Sequence, residues 1–136
     1  MEYRIGHLAY STFDLDKTLA FYRDMLGFQH IFSLADDQGK RWIEYLMTAD
    51  GRFIELFVPE GATANTGTYK HLCLEVDDVA AAVKELEEKG VKINSYVRQG
   101  SDGNYQAWIS DPDGRDIELM QLAEISDQYK FRNGLK

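Results

Sequence analysis

Cysteine is almost absent from this 136-residue chain: there is one, Cys73. A single thiol rules out an intrachain disulfide framework, so a core must hold the fold together. Cys73 sits in the apolar run Leu72-Cys73-Leu74 and reads as a small buried hydrophobe rather than a reactive thiol. Proline is scarce as well, with two residues. No apolar run approaches the ~20 residues a membrane helix needs. The start, Met1-Glu2-Tyr3-Arg4-Ile5-Gly6, has no long apolar stretch of the secretory kind, so the expected location is the cytoplasm. Basic residues are outnumbered, 15 Lys and Arg against 23 Asp and Glu, for a net charge of −8. That balance argues against nucleic acid or an anionic membrane as the main partner, since both require clustered positive charge. What remains is ordinary: 44% hydrophobic and 28% charged residues, enough for one globular domain of common size.

Read along the chain, one pattern occurs twice. Residues 3–10 read as a strand. Asp14 or Asp16 can cap a helix bearing Leu15, Leu19, Tyr22 and Leu26, and Gly27 stops it. Strands follow over 28–35, 41–48 and 53–58, separated by the turns 36–40 and 49–52. Residues 59–68 hold two Gly and one Pro and read as a linker. A strand then runs over 69–76, and a helix capped by Asp77 carries Val79, Val83 and Leu86 and stops at Gly90. Strands over 91–97, 105–110 and 115–122 complete the second copy, the last preceded by the turn Asp111-Pro112-Asp113-Gly114. The fold class is therefore α+β, two β-α-β-β-β modules over 1–58 and 69–122. Composition leaves the 123–136 tail unassigned.

The landmarks of the two copies agree in spacing. His7-Leu8 opens the first and His71-Leu72 the second. Ile54-Glu55-Leu56 closes the first and Ile117-Glu118-Leu119 the second. His7 precedes Glu55 by 48 positions and His71 precedes Glu118 by 47. Two copies at a period near 64 are too few and too long for a solenoid, so the reading is a duplicated module.

The repeated carboxylates carry the chemistry. Glu55 and Glu118 each interrupt an apolar strand, where an unpartnered charge is costly. Two at equivalent positions point to a shared cause, and a divalent cation supplies one. If the first and last strands of each module are neighbours, each His lies beside its own Glu, and a pseudo-two-fold arrangement brings the pairs to one ion. His7, Glu55, His71 and Glu118 then form a mixed N/O site suited to Zn²⁺ or Ni²⁺, with Co²⁺, Mn²⁺ or Fe²⁺ as further candidates. His30, Glu44 and Glu75 lack repeat counterparts, and His30 reads as a surface residue. Trp42, Tyr45, Phe57, Tyr105 and Trp108 serve either a pocket or the core.

These residues resemble the vicinal oxygen chelate superfamily, which contains glyoxalase I, bleomycin-resistance proteins and extradiol dioxygenases. The resemblance covers residues 5–122. It rests on His7, on the segment from Asp16 to Phe28 ending Phe21-Tyr22-Arg23-Asp24-Met25-Leu26-Gly27-Phe28, on Glu55 and His71, and on Asp111-Pro112-Asp113-Gly114 leading to Glu118. It implies paired β-α-β-β-β modules curled around a metal, and a homodimer. A His/Glu/His/Glu set is similar to glyoxalase I, the lactoylglutathione lyase type. Dioxygenases lack the ligand at the Glu55 position, and epimerases have Gln there. The implied activity is a metal-dependent isomerisation by proton transfer, with Glu118 as the first candidate base and Glu55 as its counterpart. Glutathione-using bacterial members tend to have Arg and Asn where this chain has Ser11 and Pro59, so the resemblance carries the metal chemistry rather than glutathione itself. The alternatives are a non-catalytic small-molecule binding or resistance protein, an epimerase or a dioxygenase.

Overall fold

Two four-stranded mixed sheets, each backed by a helix, make up the protein. The computed structural model describes residues 1–2, 4–59 and 69–134. The chain divides into two compact units, Met1–Thr66 and Gly67–Lys136. The 59–68 linker expected from composition lies, apart from Pro59, outside the described residues.

In the first unit β1 (His7–Ser11) leads into α1 (Leu15–Ala20), followed by β2 (Gln29–Ala35), β3 (Arg41–Met47) and β4 (Phe53–Phe57). Asp14 caps α1, its carboxylate accepting from the Lys17 N–H at 3.1 Å. The helix does not end as an α-helix: Phe21–Met25 form a π-helical turn. Gly27 then takes φ 75°, a left-handed conformation that glycine adopts without Cβ strain. The strand order is β1-β4-β3-β2, with β1 parallel to β4 and the other pairs antiparallel. The parallel pair requires a crossover, and the helix and two intervening strands provide it.

Side chains alternate across the sheet. Tyr10 pairs in register with Leu56, and its ring stacks on Tyr22 of the helical segment at 6.5 Å. This face, with Leu46 and Ile54, is the core of the unit, and Tyr22, Leu46 and Leu56 have no measurable exposure. Glu55 lies between Ile54 and Leu56 and so takes the opposite face.

The second unit repeats the order: β5 (Leu72–Glu75), α2 (Val79–Glu88), β6 (Ser95–Gln99), β7 (Tyr105–Ser110) and β8 (Asp116–Gln121). The strand order is β5-β8-β7-β6, with β5 parallel to β8. Asp78, rather than its neighbour Asp77, caps α2 by accepting from the Ala81 N–H at 3.0 Å. The Gln121 side chain accepts from the Val79 N–H at 3.0 Å and ties the helix to the face that also carries Ile117 and Leu119. Val79, Val83 and Leu86 bury there, as their helical spacing predicts. The strand expected over 91–97 forms later. Val91 N–H still bonds back to Leu86, Ile93 is drawn into the core, and pairing with β7 begins only at Asn94 and Ser95. The first strand likewise starts at His7, with residues 4–6 outside it.

The tail has a defined place. Ser126 caps α3 (Asp127–Arg132). Asn104, fully buried, accepts from the Ala123 N–H at 3.0 Å and donates to Gln128, while Arg132 pairs with Glu75 of β5 at 2.8 Å. No helix among the described residues is long and apolar enough to cross a membrane.

Leu56 fills the middle of the first core with no exposed surface. Leu56→Ala is expected to cost about 2–5 kcal/mol through lost burial and the cavity left behind, read as a lower midpoint in urea unfolding.

Candidate metal centre

The parallel pairing of first and last strand places a histidine beside a glutamate in each unit. In the first, His7 is in register with Phe53, so Glu55, two residues on, shares its face. His7 Nε2 lies 3.0 Å from Glu55 Oε2. In the second, Leu72 is in register with Ile117 and Cys73 with Glu118. His71, just before β5, puts its Nε2 3.2 Å from Glu118 Oε1. The Asp111–Gly114 turn sets where β8 begins: Asp111 Oδ1 accepts from the N–H groups of Asp113 and Arg115, each at 2.9 Å.

Exposure differs between the partners. The carboxylate side chains are 11% exposed in both pairs, while the imidazoles are 53% and 32% exposed. Each pair therefore has a buried acidic end and a ring open to an incoming ion or ligand. Two donors held ~2.1 Å from a metal and at right angles about it stand about 3 Å apart. Both Nε2–Oε separations match that spacing, and neutral imidazole with carboxylate is a donor set for Zn²⁺ and the later first-row ions. The residues fit a divalent cation two by two. Among the described residues no group of three or more His, Cys, Asp or Glu stands together as a metal cluster.

Aromatic residues occupy equivalent places behind the two carboxylates. Tyr45 on β3 is in register with Glu55, and its ring stacks on Phe32 at 4.3 Å. Burial first, then the negative charge of Glu55 and a hydrogen bond to it, raises the Tyr45 phenol above its ordinary value. Trp108 on β7 is in register with Glu118. Its ring meets His71 edge to face at 4.9 Å, and its Nε1–H donates to Gln106 at 2.6 Å. Of the other aromatics singled out from the sequence, Trp42 packs edge-on to Phe57 and Tyr105 is exposed.

Cys73 departs from its expected burial. It presents an exposed surface on β5. The strand still packs enough protein around the sulfur to desolvate it, and burial, with the charges of Glu118, Glu75 and Asp102, pushes the thiol up to about 12. It therefore stays protonated at neutral pH and is no nucleophile there.

His30 and Glu44 were not legible as functional or structural partners. Glu44 is 3% exposed, on the helix-facing side of the first sheet. It accepts from Arg41 Nε at 2.7 Å and from Ser33 Oγ, and lies 2.8 Å from His30 Nε2; Arg41 also reaches Asp16. His30 is a surface residue, as expected, and its ring is also the partner of a buried carboxylate. The only hint in the sequence was a charged residue inside the apolar run Trp42 to Met47.

A family model described as the Glyoxalase/Bleomycin resistance protein/Dioxygenase superfamily matches residues 4–119. The chain belongs to this superfamily. Among curated relatives, a probable lactoylglutathione lyase of Vibrio parahaemolyticus is 29% identical, covering 90% of this chain and 94% of its own length. The lactoylglutathione lyase of Schizosaccharomyces pombe is 28% identical over 96% of this chain, which spans about half (51%) of that longer protein. The mitochondrial methylmalonyl-CoA epimerase of Mus musculus is 27% identical, covering 87% of this chain and 72% of its own. Of solved structures, a glyoxalase I mutant of Zea mays superposes with a TM-score of 0.75 at 27% identity, over 88% of this chain and 45% of that one. TnmS3, an antibiotic binding protein from Streptomyces, gives 0.72 at 25% identity, over 90% and 98%. Superfamily membership thus covers lyases, epimerases and binding proteins alike.

The Glu44 network generates a pH prediction. Burial works to raise the Glu44 pKa, but hydrogen bonds from Ser33, Arg41 and His30 outweigh it and hold the group below its ordinary 4.5. A depressed carboxylate pKa adds stability that is present above the unfolded value and is lost as pH falls through the folded one. Urea unfolding of the wild type is expected to weaken below about pH 4.5, and Glu44→Ala, which strands Arg41 and His30, is expected to lose about 3–5 kcal/mol at pH 7 and to flatten that slope.

Proposed function

We propose that the protein is a metal-dependent isomerase of the glyoxalase I type, acting on a hydroxycarbonyl compound or the hemithioacetal of an aldehyde and a thiol. The observation that carries this reading is the doubled His–Glu pair, His7 with Glu55 at 3.0 Å and His71 with Glu118 at 3.2 Å. Each glutamate is set in a strand between apolar neighbours. These four side chains are the ones that would hold a divalent ion, Zn²⁺ or Ni²⁺ by donor type, and the proposed working assembly is a homodimer. When bound, the ion supplies Lewis acidity to a substrate carbonyl.

The protein's own groups do the rest. His7 and His71 would hold the ion as imidazole ligands. Glu118 takes a proton from one substrate carbon and returns it to the adjacent one, so a hydroxycarbonyl isomerises without net oxidation. Glu55 would stay a ligand. Tyr45 lies beside Glu55 and Trp108 beside Glu118, each within its own sheet. The relatives named as lactoylglutathione lyases support the reaction class. Ser11 and Pro59 stand where the glutathione-holding Arg and Asn of bacterial members would be, which favours a different thiol or a thiol-free substrate.

Protein purified without chelator and reconstituted with Zn²⁺ or Ni²⁺ is expected to hold one ion per chain and to convert methylglyoxal adducts of at least one small thiol. Glu118→Gln is expected to lower kcat about 10²–10⁴-fold while retaining metal, as measured by metal analysis beside the assay. Lack of turnover with every thiol tried removes the hemithioacetal substrate. Protein that takes up no metal removes the enzymatic reading in favour of a binding protein, as TnmS3 is.

A further inference from the structure

The backbone holds the two histidines of the candidate site differently. His7 is the first residue of β1 and stands in register with Phe53. His71 precedes Leu72, where β5 begins, so its direction is not set by the ladder to β8. Its ring nevertheless puts Nε2 3.2 Å from Glu118 and meets Trp108 edge to face, with centroids 4.9 Å apart and planes at 82°. Trp108 is tied down in turn at its one polar hydrogen, as Nε1–H donates to Oε1 of Gln106 at 2.6 Å. Gln106 and Trp108 lie two residues apart on β7 and so share a face of the sheet, and Trp108 is in register with Glu118. Because Oε1 receives the indole, the amide turns its Nε2 toward Gly100. A Cβ on Gly100 would stand 2.0 Å from that nitrogen. The turn between β6 and β7 fixes the backbone there: Gly100 N–H donates to Asn104 O at 2.8 Å, and Gly103 N–H donates to Gly100 O at 3.0 Å. Gly100 is not among the glycines with positive φ, so its missing side chain serves this close approach rather than a left-handed backbone.

We infer that Gln106 is a positioning residue: by holding the Trp108 indole in place it keeps the His71 ring turned with Nε2 toward Glu118, and Gly100 leaves the room its amide needs. The role rests on the reading of His71 as a metal ligand and deepens it, while every contact in it lies within the second unit. An imidazole outside the strand ladder depends on its neighbours for orientation, and the Trp108 ring is such a neighbour. Groups that orient metal ligands typically change affinity 10–100-fold when removed. Without an acceptor at residue 106 the part-buried indole N–H must find another partner, and finding one turns the ring away from His71.

The test uses two variants. Gln106→Leu removes the acceptor at similar size. Gly100→Ala displaces the amide with residue 106 unchanged, and since the far end of a glutamine yields easily, the fold is expected to stand. Thermal unfolding of each metal-free variant checks this. In the metal-free full-length protein, proton NMR follows the Trp108 Nε1–H resonance and the cross-relaxation between the ring hydrogens of Trp108 and His71. Co²⁺ is then titrated in, with affinity read by chelator competition. In both variants the indole resonance is expected to move upfield, the ring-to-ring contact to be lost and the Kd for Co²⁺ to rise roughly tenfold. In a Trp108→Phe background Gln106→Leu is expected to add nothing, because the effect runs through the indole. A glutamine that serves only the fold would lower the unfolding temperature and leave ring contact and Kd as they were. An intact ring contact or an unchanged Kd in the variants, or an equal loss in the Trp108→Phe background, overturns the role of Gln106 and leaves the metal reading standing. Wild-type protein that binds no Co²⁺ overturns the metal reading, and the ring contact then decides by itself whether Gln106 fixes His71.

Discussion

A carboxylate set inside an apolar strand must find a positive or hydrogen-bonding partner, and the parallel pairing of first and last strands supplies it. In each unit that pairing is the contact on which the rest depends. It brings an imidazole from one end of a β-α-β-β-β stretch to a carboxylate from the other. The helix backs one face of each sheet with Tyr22 or with Val79, Val83 and Leu86, so the alternation of β4 and β8 leaves Glu55 and Glu118 on the other. Fold and site are consequences of one register.

The same physics appears a second time in the first sheet, with a different result. Glu44 also sits within an apolar strand, but on the helix-facing side. There Arg41, Ser33 and His30 satisfy it completely. A carboxylate surrounded by donors within its own unit has no capacity left for a metal. Glu55 and Glu118, by contrast, each face a histidine that is open to solvent. Buried acid is therefore common to structural and candidate catalytic positions, and the number of donors around it separates the two.

Much of this was legible beforehand because it depends on short-range pattern. Strand alternation, helical spacing, capping aspartates and stop glycines are written in consecutive residues, and Gly27 and Gly90 take the positive φ their place after a helix requires. The repeat made the His and Glu landmarks visible together. Other features escaped because they depend on residues far apart. Cys73 lies in an apolar run yet presents an exposed surface. Asn104 anchors the tail helix through Gln128 and Ala123, which no local pattern around residue 104 announces.

The sequence by itself determined the two-module α+β organisation, the superfamily and the identity of the paired His and Glu residues. These follow from periodicity and from a spacing that recurs. Tertiary structure decided which side of each strand faces the helix, that His30 serves Glu44, and that Tyr45 stands in register with Glu55 while the Trp108 ring meets His71. Such choices are made across strands: register and side-chain direction, rather than residue type, determine which groups meet.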